Sequence, residues 1–217
     1  MRENYRTVAR QAQIELEEKK SRFIAVCQPL ATESEANAFV SGIRHQYPDA
    51  THHVYAWILG GELNLQRYSD DGEPQGTAGV PVLDVLRKNG IDQAGIVVTR
   101  YFGGTQLGAG GLVRAYSRAA AQALEAAGPL DMQLCQLYRV TVSYSDLDRL
   151  RRQLLLADFW EVDCRFSADA KLQIAVPLAQ TDRMLQLCAD VTKGAALLET
   201  AGRIYRPLPP PDPPGRN

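Results

Sequence analysis

Arg100-Tyr-Phe-Gly-Gly-Thr-Gln-Leu-Gly-Ala-Gly-Gly-Leu-Val-Arg-Ala-Tyr116 carries five glycines in the nine positions from Gly103 to Gly111. A β-branched run, Ile96-Val-Val-Thr99, precedes it and an alanine-rich pattern of helical period follows. Glycine loses more conformational freedom on folding than any other residue, so such a cluster is costly unless the backbone needs unusual dihedrals or close approaches. Strand, glycine-rich loop and helix start, in that order, suit a place where backbone N–H groups face an anion. The other reading is a tight loop that lets the helix approach the sheet closely. The common nucleotide motifs do not fit. Gly103 and Gly108 have the spacing of a P-loop, but Ala109 and Gly110 stand where Lys and Ser/Thr belong. Gly108-Ala-Gly110 begins a dinucleotide fingerprint, and Val113 replaces its last glycine. Phosphate recognition would therefore fall to backbone amides with Arg100 or Arg114.

Around this loop the chain alternates strand and helix patterns. Strands are expected over Gln13–Glu18, Ser21–Gln28, Thr51–Leu59 and Ala94–Thr99. Thr32 with Glu35 three residues on forms a capping box for a helix that buries Ala36, Phe39, Val40 and Ile43. A second helix is expected to begin near Thr77 to Pro81 and stop at Gly90, and the helix after the glycine loop ends at Gly128-Pro129. The pattern then restarts. A strand over Leu134–Ser143, a helix opened by Ser145-x-x-Asp148, a hairpin of Phe159–Phe166 with Lys171–Val176, a helix over Thr181–Val191 and a strand over Ala195–Tyr205 give the order βαββαβ. That order is the ferredoxin-like arrangement. The class is α+β, with domains expected at 1–130 and 131–206 and a loose proline-rich tail at 207–217.

Composition narrows the function only by exclusion. The 217 residues are 45% hydrophobic, with 24 basic and 25 acidic side chains and a net charge of −1. Charge is near balance on both sides of residue 130, so nucleic-acid contact would require a local patch. Cys27, Cys135, Cys164 and Cys188 are far apart, without a Cys-x-x-Cys pair, and read as buried reduced thiols. No apolar run reaches about 18 residues and the N-terminus lacks a signal-like apolar stretch, so no membrane association and a cytoplasmic location are expected.

A second dense stretch is Ser69-Asp-Asp-Gly-Glu-Pro-Gln-Gly-Thr-Ala-Gly79. Asp70, Asp71 and Glu73 crowd the turn before a helix. They suit helix-dipole complementarity, or a polar site that accepts an arginine or, less readily, a divalent cation. One or two carboxylates would satisfy the dipole, so a specific site that also includes Thr77 is the preferred reading. His52 and His53 point to opposite faces of a strand and cannot chelate one ion together. His52 shares a face with Val54 and Ala56, as a packed histidine would. His53 lies with Tyr55 and Trp57 on a stripe that could border a ligand. No nucleophile elbow, His-Glu-x-x-His helix or cationic cysteine motif occurs, so no catalytic residue, metal ligand or cofactor is assigned.

Taken together, Lys20-Ser-Arg-Phe-Ile24, Pro48-Asp-Ala-Thr-His-His53, the acidic turn and the glycine loop closely resemble the IMPACT/YigZ family in order and spacing. The resemblance implies a first domain like the second domain of ribosomal protein S5, then a ferredoxin-like domain like those of translocase elongation factors. Eukaryotic members regulate translation initiation by competing with a stress-responsive initiation-factor kinase for its activator, using an extra N-terminal domain. The likeness here begins at Lys20, and that domain is not expected. Thr105-Gln106 departs from the family, where many relatives have an aliphatic residue followed by lysine, and the loop loses that charge. The implied role is translation control through the ribosome, RNA or a translation-associated protein. In this reading His53, Asp70, Asp71, Glu73, Thr77, Arg100, Gly103, Gly104, Gly108, Gly110, Gly111 and Arg114 converge on one cleft. Arg100 and Arg114 meet a phosphate or carboxylate, and the acidic side chains orient them. The competing reading is an enzyme on a small phosphorylated or nucleotide substrate.

Overall fold

The computed structural model describes residues 2–61 and 64–208. The chain divides into two compact units, Met1–Asp131 and Met132–Asn217.

In the first unit β1 (Asn4–Val8) precedes a hairpin of β2 (Ala12–Glu18) and β3 (Ser21–Pro29). Helix α1 (Glu33–Gln46), strands β4 (His52–Leu59) and β5 (Leu65–Ser69), helix α2 (Gly79–Lys88), strand β6 (Ala94–Tyr101) and helix α3 (Ala109–Ala127) follow. The sheet runs β2–β3–β6–β4–β5, antiparallel throughout. Period-two alternation sends successive side chains to opposite faces, and here both faces are covered. Phe23, Ala25, Cys27, Val54, Ala56, Ile96 and Val98 pack with Leu83 and Leu86 of α2 and Ala119, Ala120 and Ala123 of α3. Val26, Trp57, Leu59 and Val97 pack with Ala36, Phe39, Val40 and Ile43 of α1. This two-sided burial explains why β3 and β6 read as nearly continuous apolar runs.

Local chemistry sets most boundaries. Thr32 Oγ1 accepts the Glu35 N–H at 3.2 Å, as a capping box requires, but the Glu35 carboxylate turns back to the N–H of Ala31 (2.8 Å) rather than that of Thr32. Two strands, β1 and β5, were not expected. Among the described residues β5 pairs only with β4 and exposes Gln66, Arg67 and Tyr68, so it lacks the apolar alternation that marks a half-buried strand.

β7 (Pro129–Val142) leads into the second unit, where α4 (Tyr144–Leu156), β8 (Trp160–Phe166), β9 (Ala170–Pro177), α5 (Thr181–Thr192) and β10 (Leu197–Leu208) follow. The strands lie in the order β10–β7–β9–β8, with a short 3₁₀ turn before α5. Tyr138, Val140, Leu172 and Ile174 meet Leu147, Leu150 and Leu154 of α4 and Met184 and Cys188 of α5 in a separate core. Helix α4 starts one residue before Ser145, with Ser143 at the cap position and its hydroxyl on Ser145 Oγ and the Asp146 carboxylate. β10 continues through Pro207 and Leu208, into the segment expected to be tail. The remaining tail positions, 209–217, lie outside the described residues. Cys27, Cys135 and Cys188 are buried, Cys164 is half-buried, and all four are free thiols. No helix among the described residues is long and apolar enough to cross a membrane.

Candidate functional site

The acidic turn between β5 and α2 gives each of its three carboxylates a different partner. Asp70 accepts backbone N–H groups from Gly76 (2.9 Å), Ala78 (3.1 Å) and Gly79 (2.8 Å), and so caps α2, whose own cap residue, Ala78, has no polar side chain. A Cβ on Gly79 would lie 2.8 Å from the Ser69 carbonyl, so the helix can start there only as glycine. Thr77 is buried and donates to the Pro74 carbonyl at 2.6 Å. Asp71 takes the left-handed region at φ 45° and accepts from the His53 backbone N–H (2.6 Å) and from Arg44 (2.6 Å). Gly72, at φ 89°, then turns the chain inward and delivers Glu73 to the interior.

Glu73 Oε1 accepts from Arg100 Nη1 at 2.6 Å and from the Tyr116 hydroxyl at 2.7 Å. The ion pair is sealed: the two side chains are 6% and 3% exposed. The Arg100 guanidinium lies 5.5 Å from the ring centres of both Phe23 and Phe102, and its Nη2 donates to Ser21 Oγ at 3.2 Å. Its Nε has no hydrogen-bond partner among the described residues. Burial, then the neighbouring Glu73 carboxylate, pushes the Tyr116 phenol far up, which keeps it a donor. His52 donates from Nδ1 to the Asp71 carbonyl (2.8 Å) and places Nε2 3.9 Å from Glu73 Oε1.

The glycine loop meets this cluster through Ser21, whose hydroxyl also accepts the Gly103 N–H at 3.3 Å. A Cβ on Gly103 would fall 1.8 Å from the Lys20 carbonyl oxygen, so the loop lies directly on the β2–β3 turn. Gly104 and Gly108 sit at φ 81° and 72°. Gly110 has open space beyond the tip of Arg114, and Gly111 is tight against Leu107. Thr105, Gln106, Ala109 and Gly110 remain exposed, so the loop is not covered by side chains.

The expected residues thus separate into four places. Glu73, Arg100 and Gly103 come together, with Arg100 inside the protein rather than facing a ligand. Asp70 and Thr77 serve the start of α2. His53 is 8% exposed and its Nε2 donates to the Tyr47 carbonyl at 3.0 Å, on the α1 side of the sheet. Arg114 is exposed and lines a 210 Å³ cavity with Glu18, Lys19, Leu107 and Arg118. Sequence reasoning did not single out Ser21, Tyr116, Lys19 or Arg118, and it read His52 as a packed histidine. Ser21 and Tyr116 stood inside the quoted motifs, but their roles depend on contacts 79 and 43 residues apart in the chain.

In the second unit a 650 Å³ depression on the sheet is lined by Arg139, Thr141, Arg165, Phe166, Lys171 and Glu199, among others. Its arginines already have carboxylates: Arg139 with Glu199 at 3.3 Å and Arg165 with Asp163 at 3.1 Å. Phe166 is exposed and stacks on Tyr144 with ring centres 6.3 Å apart. Among the described residues no group of three or more His, Cys, Asp or Glu side chains is placed to hold a metal ion.

Residues 19–124 match the Impact N-terminal domain. The chain is 34% identical over 205 residues to IMPACT family member YvyE of Bacillus subtilis, covering 94% of each chain. It is 36% identical to IMPACT family member YigZ of Escherichia coli, covering 83% of this chain and 89% of that one. A solved structure described as that of a hypothetical protein superposes with a TM-score of 0.60 at 33% identity, covering 93% of this chain and 98% of the other.

Proposed function

The chain belongs to the IMPACT family, and from that membership we propose that it is a non-catalytic binding protein of translation control, acting in the cytoplasm through the ribosome, RNA or a translation-associated protein. The first unit is read as ribosomal protein S5 domain 2-like. The βαββαβ order of the second, with strands β10–β7–β9–β8, supports a ferredoxin-like domain. Fold alone does not give function. The observation that carries the proposal is the fate of the reactive groups. Asp70, Asp71, Glu73 and Arg100 are all committed to bonds inside the protein, whereas the glycine loop and Arg114 face solvent. The internal bonds shape a rigid surface, and that surface does the recognising.

Ribosome co-sedimentation and RNA binding across a salt series test this. Binding at low salt that weakens as salt rises is the expected result, because phosphate contacts release counterions. Absence of both at low salt overturns it. A second reading, an enzyme on a small phosphorylated or nucleotide substrate, rests on His52 beside Glu73. It predicts stabilisation of about 2.7 kcal/mol by a ligand at 100 times its dissociation constant. An unchanged melting temperature across a nucleotide and metal panel removes it.

A further inference from the structure

The cavity beside the glycine loop gathers three cations, Lys19, Arg114 and Arg118. Strands β2 and β3 are joined by Lys19 and Lys20 alone, since Glu18 pairs with Ser21. Both lysines sit in the left-handed region, at φ 47° and 67°. A two-residue hairpin of this kind favours Asn-Gly, and side chains with a Cβ are strained there. Arg114 and Arg118, four residues apart on α3, project over the same cavity, and like charges at that spacing repel. Neither Lys19 nor Arg114 forms an ion pair among the described residues, and Arg118 reaches only Glu18, at 4.0 Å. This differs from the second unit, where Arg139 and Arg165 each have a carboxylate. It also differs from Arg100, which is buried against Glu73.

A chain with a net charge of −1 therefore holds three cations and one carboxylate around a 210 Å³ hollow floored by Leu107, Gly111 and Ala115. The hollow is smaller than the roughly 300–1,000 Å³ of drug-sized ligand sites, so it suits one anionic group rather than a whole nucleotide. We infer that this cavity binds a single backbone phosphate of RNA, with Arg114 and Arg118 as the forked donors and Lys19 as a point charge. The inference rests on the RNA-binding form of the proposed function and places its phosphate contact here instead of at Arg100. A contact of this kind positions the RNA without reading its sequence.

The test is fluorescence anisotropy of a labelled dodecauridylate over a salt series, with the full chain and a K19Q/R114Q/R118Q variant. All three side chains are at or near the surface, and circular dichroism checks that the variant is folded. The variant is expected to bind about tenfold more weakly, with a log–log salt slope shallower by about 0.7, the value for one phosphate of a single strand. Glu18→Gln, which removes the lone carboxylate of the lining, is expected to tighten binding. R165Q, in the second unit, is expected to leave the slope unchanged. Equal RNA binding by wild type and triple variant overturns the inference and leaves the proposed function standing. So does ribosome co-sedimentation by a wild type that does not bind the oligonucleotide. Poly-glutamate that competes as well as RNA of equal charge assigns the cavity to an acidic protein segment, and also overturns it. A wild type that binds neither RNA nor ribosomes removes both readings.

Discussion

Glu73 shows what one residue decides in this protein. Its carboxylate joins the acidic turn, β6 and α3 through Arg100 and Tyr116. Removing one partner of a buried pair leaves the other charge without compensation, which costs about 3–5 kcal/mol. Glu73→Ala is therefore expected to lose about that much stability in urea unfolding, whereas Tyr116→Phe, which forfeits one hydrogen bond, loses about 1–2 kcal/mol. An intact midpoint for Glu73→Ala would contradict the pairing. Cys27 gives a pH prediction. Burial raises its thiol from 9.0 to about 12, so between those values the unfolded chain releases a proton that the folded chain keeps. The unfolded state then binds fewer protons, and stability falls with rising pH by about 1.4 kcal/mol per unit from this group alone. Alkylation of the native protein is expected at half-buried Cys164 before Cys27, as mass mapping would show. The sequence exposed Glu73 and Arg100 as candidates. It could not show that they bond to each other inside the protein, because 27 residues separate them in the chain.

Among the elements, the glycine loop and the turn at its side respond to substitution in opposite ways. Gly103 lies against the Lys20 backbone with no room for a Cβ, so Gly103→Ala is expected to destabilise the first unit by about 3 kcal/mol or more, through forced separation of loop and hairpin. Gly110, in the first turn of α3, meets only the flexible end of Arg114 at 3.6 Å. Gly110→Ala is expected to stabilise by about 0.5–1 kcal/mol. Thermal melts of the two variants that shifted the same way would contradict this account. At the hairpin, Lys20→Gly removes a left-handed side chain and is expected to raise stability by about 1 kcal/mol. The elements themselves were largely legible, because apolar period and caps act locally. β5 and the true start of α4 were not: an edge strand needs no apolar alternation, and Ser143 and Ser145 offer similar caps two residues apart.

For the whole molecule, near-neutral charge means that the RNA binding proposed above has to come from a local patch and not from a long-range field. Ribosome co-sedimentation is accordingly expected to weaken with a log–log salt slope of only about −1 to −3, the signature of a few phosphates. A slope near −10 would indicate contact with many phosphates and would contradict recognition through a small local patch. By itself the sequence determined the mixed α and β character, the family, and the two stretches around which the candidate site was sought, because each is written in local spacing and residue type. Only the tertiary structure decided which charges are spent and which are free. It places Arg100 beside Phe102 and against Glu73, sets Asp70 to capping α2, and leaves Lys19 and Arg114 without an ion pair among the described residues. Those outcomes depend on burial and on contacts between distant segments, and a side chain's charge is available to a ligand only when the fold has not already neutralised it.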